Sequence, residues 1–180
     1  AADSLLTDDL SKRVAWSDVV GQEEAKAALR RSVVWPMQNP ILFSGLRAPA
    51  PAILLYGPPG TGKTMLAKAV ASTLRDHKVA FFNVTASTFS AKYHGDGERL
   101  VRCLFKAARE AGKAVIFIDE IDAILSSRSG GGDDDTMRRL KTEFLVNLDG
   151  LLSDAESDNT RVILIAATNM PHLLDPAFLR

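Results

Sequence analysis

Between residues 57 and 64 the chain reads GPPGTGKT, three glycines and two prolines with no large apolar side chain among them. Glycine costs backbone entropy in regular structure and proline has no N–H to give, so neither a helix nor a central strand can run through this stretch. It is a loop of defined shape. Just before it, AILLY (52–56) is a short apolar run without alternation, the pattern of a strand buried on both faces; just after it, TMLAKAVASTL reads as a helix.

The rest of the chain repeats that pairing. VAFFNVT (79–85), AVIFID (114–119) and RVILIAATN (161–169) are three further strand candidates. Between them, ERLVRCLFKAAREA puts Leu100, Leu104, Ala107, Ala108 and Ala111 on one helical face, and RRLKTEFLVNLDGL puts Leu140, Phe144 and Leu148 in register. Apolar strands alternating with amphipathic helices predict a parallel sheet with helices on both sides, and ligands gather beyond the carboxyl ends of such strands. Upstream, the stretch to about Asp18 is polar and extended. GQEEAKAALRRSVVW then forms a helix with Ala25, Leu29 and Val33 inward, Glu23 and Glu24 in its first turn, and Pro36 and Pro40 ending it. SRSGGGDDD (127–135) is a flexible, acidic stretch, for which a solvated connector is the plainer alternative, and SDAESDN (153–159) is a polar loop read as a solvated connector.

With 180 residues, 46% of them apolar, the chain suits one domain with a real core. Lys plus Arg number 22 and so do Asp plus Glu, so no global basic field points to nucleic acid, and any polyanion site must be local. The single cysteine, Cys103, falls within an apolar helical pattern as a buried thiol, and no internal disulfide can form. No apolar run is long enough for a transmembrane span and the N-terminus lacks the order of a signal peptide, so a cytosolic setting is expected, with the nucleus open as well. His77 and His172 are surface residues without metal-ligand spacing, and Trp16 and Trp35 are packing anchors.

Three strand ends carry chemistry. Gly57-Pro58-Pro59-Gly60-Thr61-Gly62-Lys63-Thr64, with Met65 following, fits G-x-x-x-x-G-K-[ST] in the strand-to-helix context that a phosphate-binding loop requires. Backbone amides would turn around phosphate oxygens at a helix N-terminus, Lys63 would reach the β- and γ-phosphates, and Thr64 would ligate magnesium. Asp119 and Glu120 close the strand AVIFI. Two carboxylates there are costly unless a cation meets them; Asp119 would hold the ion's water shell and Glu120 would polarise the attacking water. Asp122 could instead serve only as an N-cap for the helix beginning near Ile121. Asn169 would orient that water or touch the γ-phosphate, its alternative being an Asx turn.

GPPGTGKT, IFIDEID and AATN, in this order, resemble the AAA ATPases over residues 14–180. VAWSDVVGQEEAK, VVWPMQNPILFSGLRAPA, AKYHGDGERLVRCLF and RRLKTEFLVNLDG resemble the group that contains katanin, spastin, fidgetin and the ESCRT-disassembling ATPases; GLRAPA, FFNVTAS and KYxGxGE are most similar to spastin, VVWPM to fidgetin. The resemblance implies an α/β fold, the P-loop NTPase three-layer αβα sandwich, with residues 1–17 a linker and 18–180 the large nucleotide-binding subdomain, cut before its fifth strand and helical lid. It implies ATP and Mg2+ as cofactors, a homo-hexamer when ATP is bound, and a polypeptide pulled through a central pore. Asp18, Val20 and Gly21 become adenine contacts. Tyr93, flanked by Lys92 and His94, becomes the pore aromatic, a face that grips a peptide without demanding sequence; a half-buried tyrosine is the plainer alternative. Arg128, Arg138 and Arg139 fall at the second pore loop, and Arg180 aligns with an arginine finger that reaches the neighbouring subunit's γ-phosphate.

Tubulin C-terminal tails are the expected substrate and a cytoskeletal location follows from it, although Asp133-Asp134-Asp135 would repel an acidic tail unless Lys92, Arg138 and Arg139 offset them. Disassembly of membrane-remodelling filaments is the nearest alternative. A nucleotide-gated binding module without turnover is a second, opposed by the presence of Glu120, Asn169 and Arg180. A clamp loader or helicase is a third, disfavoured by the neutral charge and the Lys-Tyr-His-Gly loop.

Overall fold

A computed structural model describes residues 13–44, 47–90, 96–125, 134–154, 161–175 and 178 of the chain. Four strands, β1 (Ala52–Tyr56), β2 (Ala80–Thr85), β3 (Lys113–Asp119) and β4 (Arg161–Thr168), form one wholly parallel sheet in the order β1-β4-β3-β2. Tyr56 lies opposite Thr168, Ile118 opposite Ala166 and Thr85 opposite Asp119, so all four strands stop at nearly the same level. Whatever follows each strand leaves from one edge of the sheet.

The helices are α1 (Glu23–Leu29), α2 (Trp35–Gln38), α3 (Lys63–Leu74), α4 (Ser87–Ser90), α5 (Asp96–Glu110), α6 (Asp122–Leu125) and α7 (Asp134–Asp154). Alternate side chains of the central strands feed two separate cores, as a period of two dictates. Val115, Phe117, Ile163, Ile165 and Ala167 pack with Leu29 and Val33 and with Leu66, Val70 and Leu74 of α3. Ala114, Ile116, Ile118, Leu164 and Ala166 pack with Val101, Leu104 and Phe105 of α5 and with Leu140, Phe144 and Leu148 of α7. Phe105 and Phe144 meet edge to face with ring centroids 5.6 Å apart. These two cores make the three-layer αβα sandwich.

Four local expectations need correction. The helix that starts at Glu23 runs past Pro36, because a five-residue π segment, Arg30–Val34, shifts the hydrogen-bond register and Pro36 falls in the first turn of α2, where its missing N–H is not needed. Cys103 is exposed: the buried face of α5 is carried by Val101, Leu104, Phe105 and Ala108, and residue 103 points away from it. Ala111 lies beyond the end of α5 and is exposed. Trp35 is 47% exposed, whereas Trp16 does anchor, donating its Nε1–H to Thr73 Oγ1 at 2.9 Å beneath the guanidinium of Arg30.

Arg161, the first residue of β4, donates to the carbonyls of Pro36, Pro40 and Phe43 and so ties the N-terminal helical segment to the sheet.

Candidate active site

β1 opens into the Gly-Pro loop, and α3 begins at Lys63 with Gly62 as its N-cap. Gly60 and Gly62 have φ of 78° and 88°, a left-handed backbone that residues with a Cβ adopt only with strain. This curls the loop so that its amides and the first N–H groups of α3 share one concavity. The Lys63 ammonium sits inside the curl, donating to the carbonyls of Gly57 and Pro58 at 2.9 Å each, and Thr61 Oγ1 donates to Pro58 O at 2.9 Å. Pro58, Pro59, Gly60 and Met65 are exposed around it.

The end of β3 meets this loop. Thr64 Oγ1 donates to Asp119 Oδ2 at 2.7 Å, while the other carboxylate oxygen accepts the Glu120 N–H at 2.9 Å. Glu120 itself has φ 55°, unusual for a residue with a side chain, and its carboxylate is exposed. A hydroxyl and a carboxylate in contact, with a second carboxylate next door, form a hard-oxygen donor set suited to Mg2+, which usually takes one or two carboxylates and fills its remaining positions from water and phosphate. No cluster of three or more His, Cys, Asp or Glu side chains of the kind that cages a metal on its own occurs among the described residues. The Thr64 hydroxyl and the Asp119 carboxylate fit magnesium held jointly with a phosphate.

Beyond β4, Asn169 is exposed at the same edge. Thr168 before it is buried, and its hydroxyl joins Asp122 on α6 at 2.5 Å. Asp122 is thus engaged across the sheet edge rather than capping its own helix.

The segment before α1 passes beside the loop. Val19 is buried next to Gly62, Val20 is 91% exposed, and Gly21 turns with φ 69°. Asp18 spends its carboxylate on the Ala15 N–H at 2.8 Å. Two participants went unread in the sequence, Thr168 and Gln22, whose Nε2 donates to the Thr61 carbonyl at 2.8 Å. A polar residue closing an apolar strand was the available signal for Thr168; for Gln22 there was none. Nearby, Lys26 is buried and pairs with Glu23 at 2.8 Å; that hydrogen bond and the lysine's charge hold the Glu23 carboxyl below the usual range.

Arg138 and Arg139 are exposed near the start of α7, where they line a groove of about 410 Å³ with Glu98, Asp135, Thr142, Glu143 and Val146. Lys92, Tyr93, His94, Arg128 and Arg180 lie outside the described residues.

Residues 53–180 match the family described as ATPase family associated with various cellular activities (AAA). Spastin of Anopheles gambiae is 52% identical over 168 residues, 93% of this chain but 20% of that protein; spastin of Drosophila virilis is 51% identical over the same share of the chain. The chain thus spans about a fifth of the length of these relatives. Among solved structures, the FIGL-1 AAA domain in complex with ADP is 48% identical with a TM-score of 0.77, covering 91% of this chain and 51% of that one. A structure described as the structural basis for katanin self-assembly is 36% identical with a TM-score of 0.75, covering 98% and 54%.

Proposed function

Because the chain belongs to the AAA family of ATPases, we propose that residues 18–180 are the nucleotide-binding subdomain of an ATP-hydrolysing motor that remodels polypeptides, and that its substrate is the microtubule. The observation that carries the enzymatic part is the 2.7 Å hydrogen bond from Thr64 to Asp119, which brings the glycine loop and the carboxylate pair to one point. ATP takes the concavity of residues 57–65, with its base toward Asp18, Val20 and Gly21. Lys63 leaves its two carbonyl partners for the β- and γ-phosphates, exchanging neutral acceptors for anionic ones. Thr64 and Asp119 would hold Mg2+, which would supply positive charge beside the phosphate oxygens. Glu120 takes the proton of the attacking water, and Asn169 fixes that water's position. The terminal phosphoryl group passes to water without a covalent intermediate, by positioning and charge neutralisation.

In a homo-hexamer formed with ATP, Arg180 completes the neighbouring subunit's site, and Tyr93 with Lys92 and His94 grips the polypeptide in the pore. Arg138 and Arg139, exposed at the start of α7, offset the acidic 133–135 run beside an acidic tubulin tail. Identity of about half with spastin over 93% of the chain supports severing as the activity. No nucleic-acid contact enters this reading. The protein works in the cytoplasm on the cytoskeleton, with the nucleus as a second location; no helix among the described residues is long and apolar enough to cross a membrane.

Fluorescent stabilised microtubules, incubated with the full-length protein and ATP and followed by time-lapse imaging, test the substrate. Breaks inside the lattice with the unaltered protein, and none with Glu120→Gln, are expected. Steady ATP consumption over an intact lattice would contradict severing and leave disassembly of membrane-remodelling filaments as the reading.

A further inference from the structure

Thr168 is a buried polar residue, 1% exposed, at the last position of β4. Its hydroxyl donates to Asp122 Oδ1 at 2.5 Å and accepts the Met170 N–H at 2.9 Å. The second bond closes the turn that holds Asn169. The first reaches the residue two places after Glu120, at the start of α6. Around it the Ile121 N–H donates to Ala167 O and the Ala123 N–H to Glu120 O, both at 3.0 Å, so the turn that holds Glu120 in a left-handed backbone is closed on itself and fastened to β4 through the two residues that follow Glu120. A hydroxyl buried this deeply must be paired, and here one oxygen serves both turns. We infer that Thr168 and Asp122 are a positioning pair, neither touching substrate, that sets the Glu120 carboxylate and the Asn169 amide in fixed relation so that both address the same water.

The inference rests on the roles given above to Glu120 and Asn169. It separates rate from binding: the glycine loop, Lys63 and Thr64 are not joined to the Thr168 hydroxyl, so loss of the pair spares nucleotide affinity and slows turnover. In the full-length protein, Thr168→Val keeps the shape and removes the hydroxyl, and kcat should fall about 10- to 100-fold, the usual scale for losing an outer-shell partner, while nucleotide affinity changes less than about twofold. Thr168→Ser should recover most of the rate. Asp122→Ala approaches from the other side and should match Thr168→Val, with the double variant no slower than either alone.

Unchanged kcat in folded Thr168→Val or Asp122→Ala overturns the pair. So does a serine variant as slow as the valine one, because the methyl group rather than the hydroxyl would then matter. Glu120→Gln in the same assay separates the two levels: normal turnover there removes the catalytic reading and the pair with it, whereas an inactive Glu120→Gln beside a fully active Thr168→Val removes the pair alone.

Discussion

Lys63 is held by two carbonyls of its own loop, so its charge is already where phosphate oxygens would arrive. Lys63→Ala should weaken ATP binding by about 100-fold or more, worth roughly 2.7 kcal/mol, in a titration with fluorescent nucleotide. Tight binding by that variant would remove the loop from the site. Gln22 contributes less: its single bond to Thr61 O is worth about 1 kcal/mol, so Gln22→Ala should cost about fivefold in the same titration. The difference between these residues is also the difference in what could be read. The glycine loop and Asp119-Glu120 announce themselves by local chemistry, since glycines before Lys-Thr and carboxylates after a buried strand fit few purposes. Gln22 and Thr168 find partners 39 and 46 residues away, and nothing in residue spacing specifies such a meeting. Cys103 failed for a third reason, because an apolar neighbourhood in sequence does not say which side of the helix a residue takes.

Among the elements, strands were legible almost to the residue. Burial on both faces leaves a continuous apolar run with sharp ends, as in β3 and β4. The helix after Gln22 was legible at its start but not at its end, because the π segment that carries it past Pro36 has no signature in the hydrophobic pattern. Its far end depends on Arg161, and Arg161→Ala should destabilise the fold by about 2–4 kcal/mol, seen as a lower denaturant midpoint, since carbonyls of Pro36, Pro40 and Phe43 lose a charged donor. Gly97 controls another junction. A Cβ there would lie 2.5 Å from the Phe89 carbonyl oxygen, so Gly97→Ala must push α4 and α5 apart. A loss of about 1–3 kcal/mol is expected on thermal unfolding. If Gly97→Ala is as stable as the parent, the close approach of α4 and α5 is not a fixed feature of the fold.

At the scale of the whole molecule, four parallel strands end at one edge and deliver Gly57, Asn169, Glu120 and Ala86 there, with helices covering both faces. Under the proposed function, hydrolysis belongs to this edge and mechanical work to Tyr93, which lies outside the described residues. Tyr93→Ala should therefore keep basal ATP hydrolysis while lattice breaks disappear, and loss of ATP binding instead would make Tyr93 structural. The most direct test of the whole account puts nucleotide binding and turnover on the same preparations of full-length protein, unaltered and Glu120→Gln. Equal ATP binding is expected in both, with turnover lower by at least about 100-fold in Glu120→Gln, the lower end of what a general base contributes. Equal turnover in the two would take Glu120 out of catalysis, and binding without turnover in the unaltered protein would make it a nucleotide-gated binding module rather than a motor.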